Sequence, residues 1–355
     1  MTKNCYPCVL LFNDIHVSKD NIPEFNKNWD EALVVCEQRG IKEIALGGDL
    51  FHSRSSQTLD VLLTVYDALL RAASMGIHLT IANGNHDLVD QEAIRGYCHL
   101  YALHPNVTVV DDFLTLANDD WGFALHLIAY FLENGSFRQK LGCLVAGGLE
   151  KSKYNYLYIH EGINGALAQP SEDELPAHIF GDFDRVLVGH YHNRTTVKGT
   201  DIEYIGSSRQ HNFGEDEEKG YTILFNDGSV EFVKNKANIR YKVIDVPVED
   251  VSVHLLDRLE EMKADGRYKI KVKIHGSGST VAAVDKNSLM SAGASKVEIV
   301  EQAPEVVETI SSSLFERFDS QKIRDSYQEF CTQKEIEDVS LGLSYLAKIE
   351  MPCGN

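Results

Sequence analysis

An apolar run that stops abruptly at a polar cluster constrains this chain more than any other feature. Leu79-Thr-Ile-Ala-Asn83 leads directly into Gly84-Asn85-His86-Asp87. A short aliphatic and β-branched run reads as a buried strand, and the glycine as the tight turn that ends it. Taken alone, Asn85 and Asp87 have an ordinary explanation as caps of a following helix. The arrangement recurs, however. Residues 8–13 read as a strand ending in Asp14-Ile15-His16, and a period of two puts Asp14 and His16 on one side. Ile41–Leu46 ends in Gly47-Gly48-Asp49-Leu50-Phe51-His52, Tyr156–Ile159 in His160-Glu161-Gly162, and Arg185–Val188 in Gly189-His190-Tyr191-His192.

Helical periodicity separates the first three strands, over 24–39 with Gly40 as C-cap and over 57–75 ending at Gly76. Strand–helix alternation of this kind predicts an α/β sheet with crossover helices, whose ligand crevice lies at the carboxyl ends of the strands. Shorter strands follow at 107–110 and 125–130, with an irregular stretch to Asn155. Strands at 202–205, 221–225 and 229–233, the last two joined by the hairpin turn Asn226-Asp-Gly228, close a first domain at 1–238. A small α+β module is expected at 239–303, a polar linker at 304–319, and two amphipathic helices in the tail at 320–355. In the tail, Ile323, Tyr327, Phe330 and Cys331 share one helix face, and Ile336, Val339, Leu343 and Leu346 another.

Composition narrows the classes. With 355 residues and 43% hydrophobic content the chain can bury a sizeable core. No apolar run is long enough for a bilayer span, and Met1–Cys8 lacks the apolar core of a signal peptide. Seven cysteines, an odd number, suit a reducing compartment, and Cys5-Tyr-Pro-Cys8 stands without a second pair. The expectation is a cytoplasmic protein. A net charge of −19 argues against a protein that coats nucleic acid, though not against an enzyme that holds divalent cations near phosphate. Most of the acidic excess reads as solvated surface, such as Glu215-Asp-Glu-Glu218.

The ordered set is Asp14, His16, Asp49, His52, Asn85, His86, Asp87, His160, His190 and His192, which takes in six of the fourteen histidines. A lone strand-end histidine is usually structural. Five clusters at five strand ends, all rich in His, Asp and Asn, are hard to explain as caps. Mixed imidazole, carboxylate and amide donors suit two divalent ions, and a bridging carboxylate is needed to hold two ions about 3.5–4 Å apart. Asp49, on its Gly-Gly turn, is the best placed bridge. Such a pair polarises a phosphoryl oxygen, so the chemistry indicated is in-line hydrolysis of a phosphate ester.

The series Asp-x-His, Gly-Asp-x-x-His, Gly-Asn-His-Asp, His-x-Gly, Gly-His-x-His over residues 8–193 resembles the calcineurin-like metallophosphoesterases. Gly48-Asp49-Leu50-Phe51-His52 and the run Gly206-Ser-Ser-Arg-Gln…Phe213-Gly-Glu…Glu218-Lys-Gly220 are similar to the SbcD-type nuclease subunit of SMC-like ATPase–nuclease complexes. That resemblance implies two packed β-sheets flanked by helices. It implies one metal held by Asp14, His16, Asp49 and His192, and a second by Asp49, Asn85, His160 and His190. His86 would protonate the leaving 3′ oxygen with Asp87 orienting it, and His52 would position the phosphate. The cofactor would be two divalent ions, manganese favoured, with magnesium or iron as alternatives. The partners implied are DNA, an SMC-like ATPase docked on the tail helices, and a second copy of the chain. Two other readings stand beside this one: a small-molecule phosphatase or cyclic-nucleotide phosphodiesterase sharing the metal site, and a non-catalytic scaffold. Arg209 is read as a surface arginine with phosphate contact as the alternative.

Overall fold

Strands apolar on both faces set the central architecture. In β1 (Pro7–Phe12), Val9 and Leu11 enter a core between two sheets, while Leu10 and Phe12 enter a core beneath helices. A strand buried on both sides needs no polar alternation, which is why these runs are continuous. The computed structural model describes residues 5–90, 95–132, 136–167 and 174–301, and in the tail residues 327, 328, 330, 331, 334, 339, 340, 342 and 343. The chain forms two compact units, Met1–Glu301 and Gln302–Asn355. The tail helices and the linker expected beyond 303 lie largely outside the described residues.

From β1 the chain runs through α1 (Ile22–Arg39) to β2 (Glu43–Gly47), then through α2 (Leu59–Ser74) to β3 (His78–Ala82) and on to β4 (Val107–Val110). All four strands are parallel. Helix α1 ends on Gly40 at φ 70°, a left-handed cap that glycine adopts without strain. Its apolar face buries Phe25, Trp29 and Leu33, and the Trp29 indole donates to the Ala68 carbonyl of α2 at 3.0 Å.

The second half builds a second sheet. Its strands are β5 (Phe113–Ala117), β6 (Phe123–Ile128), β7 (Tyr154–Ile159), β8 (Arg185–Val188), β9 (Thr195–Thr196) and β10 (Ile202–Tyr204), with α3 (Ser136–Gly147) between β6 and β7. The hairpin β11 (Gly220–Phe225) and β12 (Val230–Lys234) returns to pair antiparallel beside β1. The sheet orders are therefore β12-β11-β1-β2-β3-β4 and β5-β6-β7-β8-β10-β9, packed face to face with helices outside. This is the α/β two-sheet sandwich that the resemblance implies. Two elements are not expected from the sequence: β5 falls between the expected strands at 107–110 and 125–130, and α3 in the irregular stretch to Asn155. β5 is an edge strand with alternate residues exposed, and α3 carries Gly142 and a weakly apolar face. Both signals are faint for the physical reason that neither element is buried on two sides.

A third, three-stranded parallel sheet follows within the same compact unit: β13 (Arg240–Pro247), β14 (Tyr268–Gly276) and β15 (Lys296–Glu301). Helices α4 (Val253–Asp265), α5 (Gly278–Val281) and α6 (Lys286–Ala292) accompany it. Ile244, Leu255, Leu259, Ile270, Val272 and Leu289 make its separate core. No helix among the described residues is long and apolar enough to cross a membrane.

His126 on β6 is nearly fully buried. Its Nε2 donates to Asn155 Oδ1 at 3.1 Å, and Nδ1 accepts from Thr115 Oγ1 at 2.8 Å. Burial lowers its pKa. A histidine depressed on folding contributes stability that is present above its unfolded pKa of about 6.5 and is lost as the pH falls. The stability advantage of the wild type over His126→Gln, measured by urea unfolding of the metal-free protein, should be full at about pH 8 and narrow as the pH falls below about 6.5. A gap independent of pH would remove this role.

Candidate metal centre

The loops after β1 and β2 are laced together before any side chain contributes. Asp14 N donates to Gly48 O, Ile15 N and His16 N to Asp49 O, and Val17 N to Leu50 O, at 2.8–3.1 Å. This lacing is achieved with unusual backbone. Asp14, His16, Asp49 and His190 have φ of 50°, 50°, 54° and 86°. These are the only described non-glycine residues with positive φ, and all four are expected ligands. Backbone strain of this kind clusters at functional sites. Asp14 and His16 do share a side, as period two predicts, but through left-handed turns rather than extended strand. Gly84 is required by close approach: a Cβ there would collide with the backbone nitrogen and Oδ1 of Asp49.

Asp87 is completely buried and directs its carboxylate to backbone. Oδ1 accepts from Phe51 N at 2.9 Å; Oδ2 accepts from Gly84 N at 2.8 Å and Leu50 N at 3.3 Å. The expectation that Asp87 orients the His86 ring is therefore corrected. The ring is held instead by its Nδ1–H, which donates to the His52 carbonyl at 2.7 Å. Burial and the neighbouring Asp49 charge push the Asp87 pKa up to about 7, against the lowering effect of those backbone donors.

Around this frame the side chains converge. Asp49 Oδ1 accepts from His86 N at 2.8 Å, which leaves Oδ2 facing His160 Nε2 at 3.2 Å and His16 Nε2 at 3.5 Å. Asp14 Oδ2 accepts from Asn13 Nδ2 and from His190 N at 3.1 Å. Asp14 Oδ1 then stands among three imidazoles: His160 at 3.7 Å, His192 at 3.9 Å and His16 at 4.0 Å. Donor atoms fall into three close groups, Asp14–His16–His192, His16–Asp49–His86 and Asp14–Asp49–His160, each within 4.8 Å. Asp14 as well as Asp49 thus spans the two halves of the site, which join loops from both sheets.

The donor set fits divalent cations. His160 Nε2 is buried without a hydrogen-bond partner although two carboxylates lie within 4 Å, and Asn85 Oδ1 is likewise buried and unpartnered. Unpartnered buried polar atoms are costly, and a cation coordinated by both residues would satisfy them. His16 and His192 bring their Nε2 atoms within 3.1 Å of each other, as two donors sharing an ion would. Burial lowers His16 and His190 to about 4, so both rings are neutral at neutral pH. Burial works against the charged forms of Asp49 and His160 too. The His160 charge nevertheless holds Asp49 well below its usual range, and Asp49 and Asp14 raise His160 to about 10.

The other expected residues sit at the rim. The His190 ring stands edge-on to His160, centroids 5.4 Å apart, outside the three close groups. His52 lies near His16 and His86, with centroids 5.7 and 6.1 Å away. A cleft of about 450 Å³ opens on His16, Asp49, His52, His86, His190 and His192, and its far wall carries Arg209, Tyr241 and Lys269. Arg209 is not a surface residue. It is 2% exposed and donates through NH2 to the carbonyls of Ile15 and His16, fixing the first loop. Glu215 is not solvated surface either, since its side chain is 7% exposed and bonds His192. His211, singled out by no motif, donates from Nε2 to the Asp14 carbonyl at 2.8 Å and packs on the rings of His16 and His192.

No family model matches the chain. The SbcD component of the SbcCD nuclease from Staphylococcus saprophyticus is 25% identical over 206 residues, covering 51% of this chain and 54% of that protein. The chain spans about half the length of that relative. A putative phosphoesterase of Invertebrate iridescent virus 6 is 25% identical over 301 residues, covering 80% of this chain and 99% of the viral protein. Among solved structures, a dimetal phosphatase from Danio rerio overlaps 62% of this chain and 92% of its own, at 10% identity and a TM-score of 0.42. The chain is thus similar to SbcD-type nuclease subunits and to phosphoesterases more broadly.

Because Asp87 secures two loops through backbone donors, Asp87→Asn should lower the stability of the metal-free protein by about 1–3 kcal/mol, as expected when buried donors lose their acceptor. Urea unfolding checks this. An unchanged midpoint would return Asp87 to a role confined to His86.

Proposed function

We propose that the chain is a dinuclear-metal-dependent phosphodiesterase that hydrolyses DNA ends as the nuclease subunit of a complex with an SMC-like ATPase, acting in the cytoplasm in DNA repair or recombination. One observation carries the catalytic part: two buried carboxylates, Asp14 and Asp49, each face imidazoles from both sheets at 3.2–4.0 Å, at the base of a cleft that Asp49 lines. The DNA part is supported by the similarity to a nuclease subunit and by the third sheet, whose Tyr241 and Lys269 wall the cleft.

In this reading Asp14, His16, Asp49 and His192 hold one ion and Asp49, Asn85, His160 and His190 the other, with manganese favoured over magnesium or iron. Bound ions would neutralise phosphate charge and supply a nucleophile at neutral pH. The protein's own residues do the rest. His86, whose Nδ1–H is fixed by the His52 carbonyl, has Nε2 as the one atom able to carry a proton to the leaving oxygen. His52 stands beside it at the mouth of the cleft and positions the phosphate. Arg209 and Asp87 hold the loops that present these groups. A second reading, a phosphatase or phosphodiesterase of small substrates, shares the same centre, and the overlap with the viral phosphoesterase supports phosphate-ester hydrolysis in either reading.

Pure protein with manganese, linear duplex DNA, single-stranded DNA and an aryl phosphate ester separates the two. The expected outcome is DNA cleavage, lost in His86→Ala with metal retained and lost in Asn85→Ala together with metal. Turnover of the aryl ester alone would overturn the nuclease reading in favour of the second. The assembly is tested separately. Helix α2 exposes Leu59, Leu63, Tyr66 and Leu70 along one outward stripe, which suits an interface between two copies. Light scattering should find two chains in the wild type and one in Leu63→Glu, and deletion of 320–355 should abolish ATPase capture while sparing metal-dependent activity. A wild-type monomer, or capture that survives the deletion, would contradict these assignments.

A further inference from the structure

Each candidate imidazole ligand has a second nitrogen, and what meets that nitrogen differs between them. His160 Nδ1 donates to a neutral carbonyl, Gly47 O, at 2.9 Å. His192 Nδ1 meets a carboxylate, Glu215 Oε1, at 2.8 Å. A carboxylate only accepts, so the proton between them belongs to Nδ1, and in the neutral ring Nε2 keeps its lone pair. That Nε2 points at the expected ligands, 3.1 Å from His16 Nε2 and 3.9 Å from Asp14 Oδ1. Glu215 is itself fixed. Oε1 accepts from Asn212 Nδ2 at 2.8 Å, Oε2 accepts from His211 N at 3.1 Å, and the fully buried Lys219 ammonium lies 3.5 Å from Oε2. Lys219 also donates to Asn193 Oδ1 at 2.8 Å and to the His192 carbonyl, so one cation pins both the carboxylate and the backbone of the residue it serves.

We infer that Glu215 is the positioning residue of His192, holding its Nε2 bare toward Asp14 and His16, and that it makes the Asp14–His16–His192 group the tighter of two divalent-cation sites. The inference rests on the metal-centre reading above. The physical reason is that a carboxylate behind an imidazole makes the coordinating nitrogen more basic and removes its rotational freedom, whereas a neutral carbonyl does only the second. The arrangement also gives a partner to a carboxylate whose burial would otherwise be costly.

Manganese(II) titration of the full chain, followed by calorimetry and by the electron paramagnetic resonance of the free ion, tests this without an activity assay. The wild type should bind two ions with unequal affinity. Glu215→Gln keeps an acceptor but loses the charge, and should weaken the tighter site about 10–100-fold while leaving the weaker one unchanged. In a His192→Asn background the same substitution should change nothing, because its effect travels through His192. Equal weakening of both sites, or the same loss without His192, would mean that Glu215 acts only on the fold and would overturn the proposal. So would unchanged affinity in Glu215→Gln. Absence of any manganese binding by the wild type would instead bring down the metal reading, and the proposal with it. Should near-ultraviolet circular dichroism show Glu215→Gln unfolded, Asn212→Ala removes one support of the carboxylate. It should then weaken the tighter site by a smaller factor, and an unchanged site would overturn the proposal.

Discussion

A buried carboxylate that serves backbone rather than chemistry sets the geometry of everything around it. Asp87, from the loop after β3, accepts from Leu50 and Phe51 in the loop after β2, and from Gly84 in its own loop. Asp49 answers from the other side by accepting the His86 N–H. Each loop thus caps the other, much as the two halves of a capping box satisfy each other at a helix start. A buried charge without partners is strongly unfavourable in a protein interior, so the loops have one low-energy arrangement, in which three N–H groups converge on Asp87. The positions of Asp49, Asn85 and His86 follow from that arrangement.

The second constraint is that the site belongs to neither sheet. Asp14, His16, Asp49 and Asn85 come from the loops of the first sheet, His160, His190 and His192 from those of the second. The inter-sheet core of Val9, Leu11, Phe123, Leu125, Tyr158 and Leu187 is what registers one rim against the other. Tyr158 shows the coupling directly, since its hydroxyl donates to Asn13 Oδ1 beside Asp14 at 2.9 Å. Packing errors in this core therefore translate into misplaced donors, because a close-packed interior transmits small shifts.

The strands that end in these clusters are legible in the sequence because burial on two faces writes an uninterrupted apolar run, and the break into His, Asp and Asn is abrupt. The hairpin at Asn226-Asp-Gly228 is equally plain, with Gly228 at φ 86°. The supporting residues are not. Arg209, His211 and Glu215 lie in a loop with no periodic pattern, and the contacts that bury Arg209 and His211 reach residues about 200 positions earlier. Glu215 opens an acidic run, and charge runs usually face water. The local hints are Lys219 four residues on, at ion-pairing distance, and the place of Arg209, Glu215 and Lys219 in the run that carries the SbcD-type resemblance. The role of Asp87 is hidden because adjacency to His86 in sequence suggests contact, whereas neighbouring residues in a tight turn project apart.

The left-handed backbone at Asp14, His16, Asp49 and His190 restricts which amino acids this centre can be written with. Glutamate and cysteine ligate divalent ions as well as aspartate does, but positive φ is tolerated chiefly by Asn, Asp and His among residues with side chains. The alphabet of the site is therefore the overlap of two vocabularies, one set by coordination chemistry and the other by steric permission of the main chain. A substitution that preserves the donor atom can still be forbidden by the turn that carries it.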